Sequence, residues 1–199
     1  MSDSSPTPAP PARNDDRVWK VIAVVAGLVL TGFITYVATR PHQTGPVAHP
    51  ALPAATVPVG SAAPAFSLPR LGGGSPVTLD ATRGTPTVVN FFASWCKDCQ
   101  AELADFAALA VRTTGEVAVV GVDSNDADGS AARDLLANAH ATYPVGVDVL
   151  ARTATTYRLT ALPVTYFLDA GGRVVHVALG TQTLASLTHW AGILDGATR

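Results

Sequence analysis

The sequence predicts an α/β protein: a central mixed β-sheet flanked by helices and preceded by an N-terminal transmembrane helix. Three observations carry that prediction. Between Val88 and Leu194, apolar runs of strand length alternate with segments of helical periodicity. Asp169-Ala170-Gly171-Gly172 turns the last two strands back on each other, so those two are antiparallel. Val21 to Thr39 carries no charge and is bounded by Lys20 and Arg40.

Residues 1–17 are rich in Ser, Pro and Ala, with Asp and Arg, and are expected to be disordered. The transmembrane element is placed at 18–40. At about 1.5 Å per residue its uncharged run spans roughly 28 Å, close to a bilayer core. Arg13, Arg17 and Lys20 precede it and only Arg40 closely follows. That bias puts the N-terminus in the cytoplasm and everything after Arg40 outside, a single-pass protein of the cell membrane. A cleavable signal peptide is the competing reading. The run exceeds an ordinary signal core, however, and Tyr36-Val37-Ala38 puts a ring where a small residue is needed for cleavage. A retained signal-anchor is favoured. Ala23, Gly27, Thr31 and Thr35 form a small-residue stripe, read more simply as lipid-facing than as a dimer seam. Residues 41–56 carry four prolines and form a semi-extended linker. The folded domain is 57–199, long enough to bury one sizeable core.

Net charge is −2 and 14% of residues are charged, which leaves no basic footprint for nucleic acid. No phosphate-binding or dinucleotide-binding glycine motif follows a strand; Gly72-Gly73-Gly74 reads as a turn. The histidines (His42, His49, His140, His176, His189) are scattered, and two cysteines without a nearby His argue against zinc. Asp123-Ser124-Asn125-Asp126-Ala127-Asp128-Gly129 lacks the spacing and terminal Glu of a calcium loop. It reads as a capped loop leading into a helix.

Strands are predicted at Val88–Phe92, Val117–Val122, Val164–Leu168 and Val174–Ala178. Helices are predicted at Cys96–Val111, Ser130–Ala139, Leu150–Tyr157 and Leu184–Leu194. Leu103, Phe106 and Leu109 give the first helix a core-facing stripe, and Leu135, Leu136 and Ala139 give the second one.

Both cysteines of the chain lie in Cys96-Lys97-Asp98-Cys99, directly after Trp95. They sit between a buried strand and a helix, so the first thiol is at a helix N-terminus. Unpaired N–H groups and the helix dipole stabilise a thiolate there. The thiolate is the nucleophile of disulfide exchange, so this is a redox site.

The order strand, Trp-Cys-x-x-Cys, helix, then Pro before a late strand resembles the thioredoxin fold. In detail it resembles the membrane-tethered TlpA/ResA/CcmG (DsbE) branch. Gly60-Ser61-Ala62-Ala63-Pro64-Ala65-Phe66-Ser67-Leu68 is similar to that branch's opening strand. Val88 through Cys96 is similar to its approach to the active site, and Leu162 through Asp169 to its proline loop and following strand. The resemblance covers nearly all of 57–199.

The resemblance implies that Cys96 is the attacking thiol and Cys99 the more buried resolving thiol. It implies a cis Pro163 lying against the pair, its neighbour Leu162 presenting backbone to an extended substrate. Trp95 would shield one side of the site, or serve as a core aromatic; the two roles can coexist. Glu102 lies one helical turn from Cys99. Either it is a solvated helix glutamate, or it is a partly desolvated carboxyl that exchanges a proton with the resolving thiol, as the resemblance implies. Asn90 stands where cytosolic thioredoxins have Asp, and an amide cannot shuttle a proton. Asp98 stands where most relatives have Pro, and losing that proline is expected to loosen the first helical turn. Lys97 favours the Cys96 thiolate and Asp98 opposes it, both effects being screened if the two are exposed.

The expected function is a membrane-anchored, extracytoplasmic thiol–disulfide oxidoreductase with no cofactor beyond the redox-active Cys96–Cys99 disulfide. The resemblance implies protein disulfide substrates, notably the haem-site cysteines of apocytochrome c, and a membrane thiol carrier of DsbD/CcdA type as electron donor. An oxidant that inserts disulfides is the second reading, and a binding module with a structural disulfide the third. A peroxidase would need its cysteine framed by Pro and Thr, where this chain has Ser94-Trp95.

Overall fold

The structure, a computed structural model, describes residues 20–26, 56–127 and 129–196. The predicted disordered segment, most of the predicted membrane span and nearly all of the linker lie outside the described residues. Residues 20–26 are helical. Among the described residues, no helix is long and apolar enough to cross a membrane. The chain divides into two units, Met1–Pro50 and Ala51–Arg199, and the second carries the sheet and both cysteines.

The elements of this second unit run β1 (Ser67–Leu68), β2 (Val77–Thr78), β3 (Thr87–Phe92), α1 (Lys97–Arg112), β4 (Ala118–Ser124), α2 (Ser130–Asn138), β5 (Val145–Asp148), α3 (Arg152–Thr156), β6 (Val164–Leu168), β7 (Val174–Leu179) and α4 (Leu184–Gly196). A 3-10 turn, Leu79–Thr82, follows β2. The main sheet has the order β5-β4-β3-β6-β7. β3, β4 and β5 are parallel to one another, and β6 is antiparallel to both of its neighbours, β3 and β7. This is the predicted mixed sheet, closed by the predicted hairpin: the Gly172 N–H donates to the Asp169 carbonyl at 2.8 Å.

β3 is buried along its whole length because it is the central strand. Its alternate residues serve two cores. Val88 and Phe92 face a cluster built from Leu103, Phe106, Leu109, Leu136, Leu187 and Leu194 of α1, α2 and α4. Val89 and Phe91 face the other, with Leu68, Leu79, Tyr157 and Tyr166. Tyr157 sits 4.8 Å from Phe91 and 5.0 Å from Tyr166, ring centre to ring centre. The Tyr157 hydroxyl donates to the Pro64 carbonyl at 2.7 Å, tying the segment before β1 to this face.

Four expectations change. The opening strand proposed from 60–68 is reduced to Ser67–Leu68, with Ala62 making a single bridge to Arg173. β5 is an addition to the predicted strands. The third helix starts at Arg152 rather than Leu150, because Ala151 takes a left-handed φ of 49° that no helix can include. The Asp148 carboxylate instead caps α3 from β5, accepting from the Arg152 and Ala154 N–H groups. In α2, Leu136 is buried, while Leu135 and Ala139 only pack at the cluster's margin.

Candidate active site

The C-terminal end of β3 runs through Ala93-Ser94-Trp95 into α1, and Cys96 is the N-cap residue of that helix. Cys96 and Cys99 form a disulfide with an S–S distance of 2.04 Å. Cys96 is 8% exposed and Cys99 is 0% exposed. The Cys99 N–H donates to the Cys96 sulfur at 3.2 Å, one of the donors a helix start leaves free. That donor favours negative charge on Cys96 when the pair is reduced.

β6 starts beside the end of β3, with Val164 opposite Phe91. The Leu162–Pro163 peptide that precedes it is cis. Pro163 is buried, and Leu162 packs against the cluster that contains both cysteines. The Gly180 N–H donates to the Pro163 carbonyl at 3.0 Å, so the β7–α4 loop braces the proline turn.

Glu102 is fully buried one turn along α1 from Cys99. This excludes the solvated-glutamate reading. Its Oε1 accepts from the Asn90 side-chain amide at 2.8 Å, and its Oε2 accepts from the Gln182 N–H at 2.7 Å. Burial pushes its pKa up to about 7, against the pull of those two hydrogen bonds, with nearby Asp105 adding to the rise. A carboxyl near 7 can both give and take a proton at neutral pH. Asn90 does not titrate, but its N–H aims Glu102. Asp105 accepts from the Leu184 N–H at 3.0 Å and so fixes the start of α4. The Thr181 hydroxyl donates to the Asp98 carbonyl at 3.3 Å.

Trp95 is 59% exposed, which removes its reading as a core aromatic. Its indole N–H donates to the Asn125 carbonyl at 3.2 Å. Lys97 and Asp98 are both exposed, so their opposed charges act through solvent. Sequence reasoning missed Gln182, which meets Glu102 through its backbone, and it missed Asp126, which accepts from Ser94. The acidic loop is visible in the sequence, but there it reads only as a cap for α2. Gly129, at a left-handed φ of 70°, takes the N-cap position of α2 and brings no side chain.

Comparison with known proteins agrees with this geometry. Residues 59–177 match the model of the AhpC/TSA family. The chain belongs to the AhpC/TSA family. It is 32% identical over 126 residues to the thioredoxin-like protein YneN of Bacillus subtilis, covering 62% of this chain and 73% of YneN. It is 35% identical over 89 residues to a thiol:disulfide interchange protein DsbE homolog of Paracoccus denitrificans, covering 45% of this chain and 48% of that one. A solved thiol:disulfide interchange protein of the thioredoxin family from Chlorobium tepidum superposes with a TM-score of 0.61 at 25% identity, over 70% of this chain and 99% of that one. This AhpC/TSA member is a thiol–disulfide oxidoreductase of DsbE/ResA type on a thioredoxin-like fold, with Cys96 and Cys99 as its thiol pair.

Proposed function

We propose that this AhpC/TSA member is anchored in the cell membrane by residues 18–40, with its thioredoxin-like domain (57–199) outside the cytoplasm, where it reduces protein disulfides. The Cys96 thiolate attacks a substrate disulfide; a mixed disulfide forms and one substrate thiolate leaves. The Cys99 thiolate then attacks the Cys96 sulfur, releasing the second substrate thiolate and closing the Cys96–Cys99 disulfide. Two electrons pass to the substrate. Glu102 takes the proton from Cys99 before that second attack, and Pro163 with Leu162 offers backbone to an extended substrate strand. Trp95 covers one flank.

The observation that carries the reading is the pairing of a buried carboxyl, Glu102, with the buried resolving thiol one turn away. Substrates such as the haem-site cysteines of an apocytochrome c, and a membrane thiol carrier of DsbD/CcdA type as donor, fit the DsbE and ResA names of its relatives. A second reading, an oxidant, draws on the Cys99 N–H that stabilises the Cys96 thiolate, since a stabilised reduced form raises the potential. The full chain should reduce insulin with dithiothreitol, lose that activity in Cys96→Ser, and stay in membranes through an alkaline carbonate wash. Inertness to dithiothreitol would contradict the enzymatic role, and release by the wash would contradict the anchor.

A further inference from the structure

The loop after β4 plays no part in the exchange steps, yet it grips the approach to Cys96. Asp126 is 6% exposed. One carboxylate oxygen accepts from the Ser94 N–H at 2.7 Å and the other from the Ser94 hydroxyl at 2.8 Å. One residue earlier, Asn125, at a left-handed φ of 62°, holds the Trp95 indole through its carbonyl. The Ser94 carbonyl is taken as well, by the Gln100 side-chain amide at 2.6 Å. Every polar group of the residue two before Cys96 is thus fixed, two of them by one carboxylate thirty-two positions away in the chain.

Three residues before Asp126, Asp123 is fully buried near the end of β4, where neither of its oxygens meets a donor. A buried, unpaired carboxylate would be costly. Burial pushes Asp123 up to about 8, and a proton shared with Asp126 and the repulsion of its charge add to the rise. At neutral pH Asp123 is therefore mostly the uncharged acid.

We propose that Asp126 is a positioning residue for disulfide exchange: by holding Ser94 it fixes the direction in which Cys96 presents its sulfur. This rests on exchange at the Cys96/Cys99 pair. Attack on a disulfide demands a narrow approach, and two hydrogen bonds to one side chain hold Ser94 in a single orientation.

The test is the rate at which the reduced full chain, in detergent, attacks 5,5′-dithiobis(2-nitrobenzoate). It is measured on the high-pH plateau, where Cys96 is fully thiolate. Asp126→Ala should lower the plateau about tenfold, as small misplacements of a reacting atom do. Asp126→Asn keeps an acceptor oxygen and should recover most of that loss. Ser94→Ala, which removes one of the two hydrogen bonds, should lose about threefold. A folded Asp126→Ala chain with the wild-type plateau overturns the proposal. So does an Asp126→Asn chain as slow as Asp126→Ala, because charge and not the clamp would then matter. Should thermal melts show Asp126→Ala unfolded, Ser94→Ala decides: a lowered plateau supports the clamp and an unchanged one overturns it. A wild-type chain inert to the reagent would instead overturn the exchange reading, and the proposal with it.

Discussion

The Asn90 side-chain amide donates to Glu102 at 2.8 Å, joining the central strand to the active-site helix inside the protein. Asn90 lies on β3 and Glu102 on α1, and both are fully buried. The bond favours the ionised carboxylate while burial opposes it, and burial is the larger effect. Replacing Asn90 by Ala should therefore move the pH midpoint of the resolving step above 7 by about one unit. Rapid-mixing kinetics of mixed-disulfide resolution across pH 5–9 would show it; an unmoved midpoint would count against the pairing.

Glu102 should also write itself into stability. A carboxyl whose pKa rises on folding stabilises the fold below its unfolded value, and that contribution is lost as pH rises through the folded value. For Glu102 the window runs from 4.5 to about 7. Asp123, raised from 3.8 to about 8, adds a second loss over a wider window. Urea unfolding should show wild-type stability falling across this range. Glu102→Gln should flatten the fall between 4.5 and 7, by a few kcal/mol at about 1.4 kcal/mol per pKa unit. Parallel curves for the two proteins would refute the assignment.

The two thiols should behave unequally. Cys99→Ala leaves the attacking sulfur with no resolving partner, so it should accumulate a covalent complex with a substrate protein. Cys96→Ala should not. Non-reducing gels of each variant decide the matter, and the opposite trapping pattern would reverse the roles.

On the far side of the sheet, Tyr157 fills the second core and its hydroxyl holds Pro64. Tyr157→Phe should cost about 1 kcal/mol from the lost hydrogen bond. Phe91→Ala should cost about 3–5 kcal/mol from the emptied aromatic contact. Chemical denaturation measures both, and a Phe91→Ala cost near zero would contradict the packing of Phe91 against Tyr157.

Local chemistry explains what can be read in advance. Val164–Leu168 is legible because β-branched and aromatic residues end at Asp169-Ala170-Gly171-Gly172, a turn with no other use. The cysteine pair is legible because spacing, Trp95 and the flanking elements agree. β5 is hidden by Pro144 and Gly146, which break the apolar pattern. The glycine is required by distant chain: a Cβ there would come within 2.7 Å of the Leu68 Cβ. Ala151 hides the start of α3 because nothing in its side chain announces a left-handed backbone. Of the site, Glu102 can be named but not its burial, since Gln182 reaches it from eighty residues away. Asp126 is visible only as part of an acidic loop, because its partner Ser94 lies in a different connection of the sheet.

The direction of electron flow is the central claim, and one quantity measures it: the reduction potential of the Cys96/Cys99 couple in the full chain, equilibrated against glutathione or dithiothreitol. A reductase requires a value near that of thioredoxin, about −270 mV, and this is the result predicted. A value near −120 mV, roughly that of a strong disulfide donor, would contradict it.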